Sequence, residues 1–223
     1  MKKVVKMPVD YKIFINPLKE AKEKAKPRNF KQSFELIIKL RDVDLKRPEN
    51  RVNMPVALPH PPKEKMAKVC VIAAGDLYVK AKSAGADGVI SREDLEKIAS
   101  DKKSAKKFVK SYDFFIAQAD MMPLIGRLLG RYLGPAGKMP RPVPPTADIA
   151  LLVDSLKRSV RIRIRTQPLV MCRVGLEDQP LEEVAKNIAA VFSALETKFR
   201  IPHNIEKVYV KLTMGPAVKV RLK

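Results

Sequence analysis

The sequence predicts an α/β protein whose middle is a parallel-sheet region inserted between two terminal segments. Three observations carry this. From about 66 to 157, short apolar runs alternate with helical patterns, the rhythm of strands whose sheet is covered by helices on both faces. The terminal segments instead hold strands that alternate residue by residue between an apolar and a basic side, as at 160–165. Pro59-His-Pro-Pro62 places three prolines in four residues at the join, a stiff connector of the kind that separates domains.

In order along the chain, 16–25 reads as a helix with Asn16 as its cap and Pro17 at the first helical position, where a missing N–H costs nothing. Residues 33–40 read as a strand with Ser33, Glu35 and Lys39 on one side, and 51–58 as a second. The middle then gives a strand at 66–74, a helix at 76–84, a short strand at 87–90 and a helix opened by Ser91. Ser91 and Asp94 resemble a capping box. A lysine-rich helical piece, a strand at 112–117, a helix at 121–133 and a last helix at 149–157 complete that region. Beyond it, 160–165 sets Arg161, Arg163 and Arg165 against valine and isoleucine, and 181–198 is an amphipathic helix whose stripe of Leu181, Val184, Ile188, Val191, Phe192 and Leu195 is core. The chain closes with a hairpin that turns at Met214-Gly-Pro216, with Val208, Val210 and Leu212 opposed by Tyr209, Lys211 and Thr213. The first 60 or so residues hold too few elements to stand alone, so they are expected to pack with these last strands.

Lysine and arginine number 45 against 24 acids, a formal charge of +21, more than solubility requires. A polyanionic partner is the natural inference. No apolar run is long enough for a membrane span, and residues 1–6 lack the apolar core of a signal peptide; a soluble protein kept inside the cell is expected. Cys70 and Cys172 are far apart and read as buried free thiols, and His60 and His203 stand alone. No metal or cofactor is implied.

The densest motif, 126–145, is an apolar helical run that breaks into a basic loop of glycine and proline carrying Arg131, Lys138 and Arg141. It does not fit a phosphate loop: Tyr132 stands where a glycine is needed and Met139 where Ser or Thr must follow the lysine. Only Gly75 follows the 66–74 strand, so a dinucleotide fingerprint is also missing. No nucleophile elbow or zinc-protease helix occurs, and Asp113 and Asp120 beside one strand read as solvated or capping acids. A phosphate-handling enzyme built on Lys138 and a nonspecific basic scaffold are the alternatives to a specific RNA reader. The reader is favoured by two basic strand faces in one region, where side chains two apart rise roughly 6.6 Å and can track a phosphate backbone.

Leu128-Leu-Gly-Arg-Tyr-Leu-Gly-Pro-Ala-Gly-Lys-Met-Pro140, Thr213-Met-Gly-Pro216 and Phe30-x-x-Ser33-x-Glu35-x-x-x-Lys39 together resemble the ribosomal protein L-one family over the full chain. Leu176 after Val174-Gly175, where bacterial members carry lysine, is similar to the archaeal and eukaryotic branch. The resemblance implies an α/β fold of two domains. One, 1–61 with 159–223, is a terminal α+β two-layer domain with a mainly antiparallel sheet; the other, 62–158, is an inserted Rossmann-like three-layer α/β domain. It implies a non-enzymatic protein of the ribosome's large subunit, cytoplasmic, monomeric off the ribosome, that binds large-subunit rRNA at the mobile stalk and assists release of exit-site tRNA. Some members also bind their own mRNA and repress its translation. The positions that carry RNA contacts on this resemblance are Phe30, Ser33, Glu35, Thr213, Met214 and Gly215. Lys39, Arg161 and Lys211 are expected beside them from the basic strand faces, and Arg131, Lys138 and Arg141 as secondary contacts.

Overall fold

The computed structural model describes residues 9–222, so the readings made at 1–6 and at Lys223 lie outside the described residues. The chain divides into two compact units, one of Met1–Lys65 with Arg158–Lys223 and one of Met66–Lys157.

In the first unit, the Asp10 carboxylate accepts from the Lys12 N–H at 3.0 Å and opens a 3-10 turn over Tyr11–Phe14 that runs into α1, Ile15–Lys24. The cap is therefore Asp10, and Asn16 lies inside the helix. Burial decides this: Phe14 is fully enclosed with its ring centroid 5.4 Å from that of Phe192, and enclosing a side chain that large is worth about 1.5–3 kcal/mol. That draws the chain ahead of Asn16 into helical geometry.

β1, Ser33–Leu40, lies between β8, Leu169–Leu176, and β9, Ile205–Leu212, and β10, Val218–Val220, closes the far edge, all antiparallel. The period-two pattern puts Phe34, Leu36, Ile38 and Leu40 on the buried side in one core with Leu18 of α1 and Val184, Ile188, Val191, Phe192 and Leu195 of α7, Leu181–Glu196. This is a two-layer arrangement whose sheet keeps one face open. β2, Val52–Ala57, and β7, Ser159–Ile164, form a separate antiparallel ribbon in which Ala57 faces Ser159.

In the second unit, β3 (Val69–Ile72), β4 (Gly88–Ile90), β5 (Phe114–Gln118) and β6 (Arg141–Val143) form a parallel sheet in the order β4-β3-β5-β6. Val69, Val71, Phe114 and Ile116 face α2, Asp76–Ser83, and α6, Ile149–Lys157. Cys70, Ile72, Phe115 and Ala117 face α3, Arg92–Ser100, α4, Lys102–Ser111, and α5, Met122–Ala136. The result is the three-layer Rossmann-like arrangement. Double-sided cover is why β3 is apolar at every position rather than at every other one.

The loop expected within 126–145 is mostly regular structure. α5 runs through Gly134 and Pro135 and stops at Gly137, whose φ of 69° is left-handed. Gly137 N–H bonds to Gly134 O and Lys138 N–H to Leu133 O, both at 2.9 Å, the pairing of a Schellman stop. Arg141–Val143 then pairs with β5, with Pro142 opposite Ala117; a proline is tolerated there because the strand is at an edge.

Candidate nucleic-acid interface

The turn after β9 is tied to the start of β1. Ser33 N–H donates to Thr213 Oγ1 at 3.1 Å, and the Thr213 hydroxyl donates to Ser33 O at 3.3 Å. Met214 N–H donates to Gln32 Oε1 at 3.0 Å, and Gln32 Nε2 donates to Lys26 O at 3.2 Å. Gln32 is almost fully buried, a role that alternation did not reveal because its partners are backbone groups, one of them 182 residues away. A Cβ on Gly215 would stand 3.1 Å from Ala25 Cβ and 3.4 Å from Leu212 Cβ, so glycine lets the turn pass close to the end of α1. The Thr213 hydroxyl has spent its proton on Ser33 and keeps one lone pair, which makes it an acceptor toward any ligand. The large apolar side chains that this scaffold leaves exposed are Met214, at 57%, and Phe30, at 49%.

The open sheet face continues from the turn. Glu35 stands in register between Arg173 on β8 and Lys211 on β9. In the next outward row Met171, Ile37, Tyr209 and Lys219 cross all four strands, and Met171 is 62% exposed. Lys39 and Lys207 face each other beyond it. Lys39 Nζ meets Glu206 Oε1 at 2.9 Å with both side chains open to solvent, a pair too wet to hold against a stronger anion. Tyr209, which alternation sets opposite the apolar side of its strand, and Met171 were not among the expected RNA contacts; their signal was the outward parity they share with Ile37. At the other end of β9 a cleft of about 600 Å³ gathers Arg41, His203, Lys207, Lys219 and Arg221.

Lys31 braces the approach to β1: it bonds to Glu64 and, at 3.0 Å, to Asp178. The Glu64 and Asp178 carboxylates raise the Lys31 pKa, and the Lys31 ammonium lowers that of Asp178. Lys65 Nζ donates to Lys31 O at 2.8 Å and to Ser33 Oγ at 3.4 Å. Hydrogen bonds and strand pairing thus bring Ser33, Glu35, Lys39, Lys211, Thr213, Met214 and Gly215 together, and Phe30 leads into the same strand. Arg161 lies apart, half-buried on the β2–β7 ribbon opposite Pro55.

In the second unit, the Arg131 guanidinium sits 4.8 Å from the Tyr132 ring centroid and Arg141 is exposed on β6. Lys138 has a structural position: its ammonium donates to Val109 O at 3.0 Å and Tyr112 O at 2.5 Å, holding the end of α4 and the approach to β5. Cys70 and Cys172 are buried and free, with burial pushing both thiols up to about 12, so neither is a thiolate near neutrality. Among the described residues no cluster of three or more His, Cys, Asp or Glu could hold a metal ion, and no helix is long and apolar enough to cross a membrane.

A basic, aromatic-bearing sheet face on one of two α/β units is the build of an RNA-binding protein. The model of the ribosomal protein L1p/L10e family matches residues 18–216, and the chain belongs to that family, which is structural rather than enzymatic. Relatives named large ribosomal subunit protein uL1 include that of Thermofilum pendens, 56% identical over 87% of this chain and 86% of the relative. The protein of Hyperthermus butylicus is 51% identical over 92% and 94%, and that of Pyrococcus abyssi 49% over 97% and 99%. All three matches run nearly end to end, so the archaeal-like reading covers both units.

Proposed function

We propose that this chain is a structural constituent of the large ribosomal subunit that grips a folded element of large-subunit rRNA with the sheet unit. On this reading 1–61 and 159–223 form the rRNA-binding domain, and 62–158 is an inserted domain. The observation that carries it is the tied turn: half-buried hydrogen bonds among Gln32, Ser33, Thr213 and Met214 fix a loop whose exposed groups are apolar, beside a basic open face. Met214 and Phe30 offer surface for a ribose or base, the Gly215 backbone permits close approach, and Thr213 presents a polar edge to a 2′-hydroxyl; Ser33 is buried and acts by holding that turn in place. Glu35 accepts from a 2′-hydroxyl or base amine while Arg173 and Lys211 flank it; Lys39, Lys211 and Arg161 take phosphates.

Met214→Asp places a carboxylate at this surface without touching the core, and affinity for the cognate rRNA fragment should fall at least tenfold at fixed salt with the melting curve unchanged. An unchanged dissociation constant removes the turn from the interface. Exit-site tRNA, whose release the protein would assist, and its own mRNA, as a repression target, are the finer partners of the same reading. Arg131 and Arg141 are available as secondary contacts, while the carbonyls around Lys138 argue for tethering instead. Footprinting of large-subunit rRNA, tRNA and the messenger leader, each with and without the protein, tells which of them is protected.

A further inference from the structure

The second unit carries a cationic surface that the sheet-face reading does not use. α4 buries Ala105, Phe108 and Val109 and exposes every other position, among them Lys102, Lys103, Lys106, Lys107 and Lys110. Lys103, Lys106, Lys107 and Lys110 fall at i, i+3, i+4 and i+7, one helix face spanning about 10.5 Å of axis. With Ser111 they line a shallow concavity of about 440 Å³.

This stripe differs from an ordinary solvated lysine face. α1 is also lysine-rich, but there Lys24 pairs with Glu20 at 2.6 Å and Lys19 with Glu23 at 4.0 Å. On α4 none of the four stripe lysines forms an ion pair among the described residues, and the carboxylate nearest in sequence, Asp101, is committed to the N–H groups of Lys103 and Ser104 and to the Ser104 hydroxyl. Like charges three and four apart oppose the helix, a repulsion that an anionic partner would relieve. The exposed positions of α4 include no apolar residue, which argues against insertion into a lipid surface. Phosphates on one strand of a B-form duplex recur about every 3.4 Å of axis, and those of A-form RNA lie closer still, so the stripe reaches at least three of them.

We propose that the Lys103, Lys106, Lys107 and Lys110 face of α4 is a sequence-independent docking surface for the phosphate backbone of double-stranded RNA, separate from the Thr213 turn. The test uses the full chain in two backgrounds, unaltered and Met214→Asp, with a 20-base-pair RNA duplex of arbitrary sequence as probe, titrated over a range of KCl. Replacing all four lysines by glutamine should weaken duplex binding at least tenfold near 100 mM salt in both backgrounds. It should also reduce the slope of log K against log salt by about 3, on the scale of the roughly 0.9 counterions released per phosphate of duplex DNA. A control that removes the same charge from α2 and α3 (Lys80, Lys82, Arg92 and Lys97 to glutamine) should change affinity less than threefold. Equal losses in the α4 and control variants overturn the proposal, as does binding by the unaltered chain to anionic vesicles in preference to the duplex. Circular dichroism must show both quadruple variants folded; if the α4 set does not fold, Lys106→Gln with Lys110→Gln carries the comparison, with a slope loss near 2. Failure of the turn assignment would appear only with the cognate fragment, so the two readings fail independently.

Discussion

Asn187 is a polar residue fully enclosed in the apolar stripe of α7, and its amide is almost used up by backbone groups. Oδ1 accepts from His60 N–H at 2.9 Å, while Nδ2 donates to His60 O at 2.6 Å and to Val174 O at 2.8 Å. One side chain thereby fixes the proline-rich connector against both a helix and a strand. Asn187→Leu is close in volume yet takes the side-chain partner from His60 N–H and Val174 O and leaves His60 O only the 3.4 Å bond from Gln179 Nε2, so it should lower stability by about 2–4 kcal/mol, read as a shift of the urea midpoint at constant slope. A neutral result would mean that packing alone holds the connector. The sequence showed the stripe of α7 but not this role, because the partners lie 13 and 127 residues away; an asparagine amid Val184, Ile188 and Val191 was the available signal. Lys138 misled in the opposite sense. It stood in a basic loop by composition, whereas its ammonium is spent on the carbonyls of Val109 and Tyr112. Residue roles that depend on periodicity were legible, and those that depend on distant backbone atoms were not.

At the scale of elements, α3 and α4 meet at Asp101, which ends one helix and caps the next. The Ser104 hydroxyl, then the Ser104 and Lys103 N–H groups, donate to its carboxylate and lower its pKa below the ordinary 3.8. A lowered folded pKa means that the ionised cap favours the folded state: the contribution is complete above the unfolded value and is lost as pH falls through the folded one. Asp101→Ala should therefore lower the melting temperature at pH 7, and the gap from the unaltered protein should close as pH is taken from 5 to 2. A gap of constant size across that range would show that the carboxylate charge is not what caps α4. Asp94, whose pKa is lowered first by the Ser91 hydroxyl and then by the Ser91 backbone, acts in the same direction at the start of α3. Ser91 Oγ accepts from Asp94 N–H at 3.2 Å and donates to Asp94 Oδ2 at 2.8 Å, so the capping pair read from the sequence is present. β1 and α6 were legible to the residue because hydrophobic period and length agreed. β6 was not, since proline and glycine density predicts a loop while pairing to an already formed β5 overrides it.

At the scale of the molecule, the charge of +21 was readable from composition, and so was the change of rhythm after Pro62. What no local pattern shows is that β2 and β7, about a hundred residues apart, choose each other and form a ribbon outside the four-stranded sheet. The pairing puts the outgoing and returning chain side by side: Leu58 N–H bonds to Arg158 O at 2.9 Å and Ala67 N–H to Lys157 O at 3.1 Å. A two-residue Asn-Gly turn spans such an antiparallel pair, so residues 68–156 can be replaced by it without stretching the ribbon. The core around α1, α7 and the sheet draws on neither of the two hydrophobic clusters of the Met66–Lys157 unit. The trimmed chain should therefore unfold in one cooperative step and still prefer the cognate rRNA fragment to a scrambled one. Its salt slope should be shallower, because the α4 lysines leave with the excised unit. A trimmed chain that melts cooperatively yet binds both RNAs alike would show that specificity requires the second unit and does not reside in the sheet face and its tied turn.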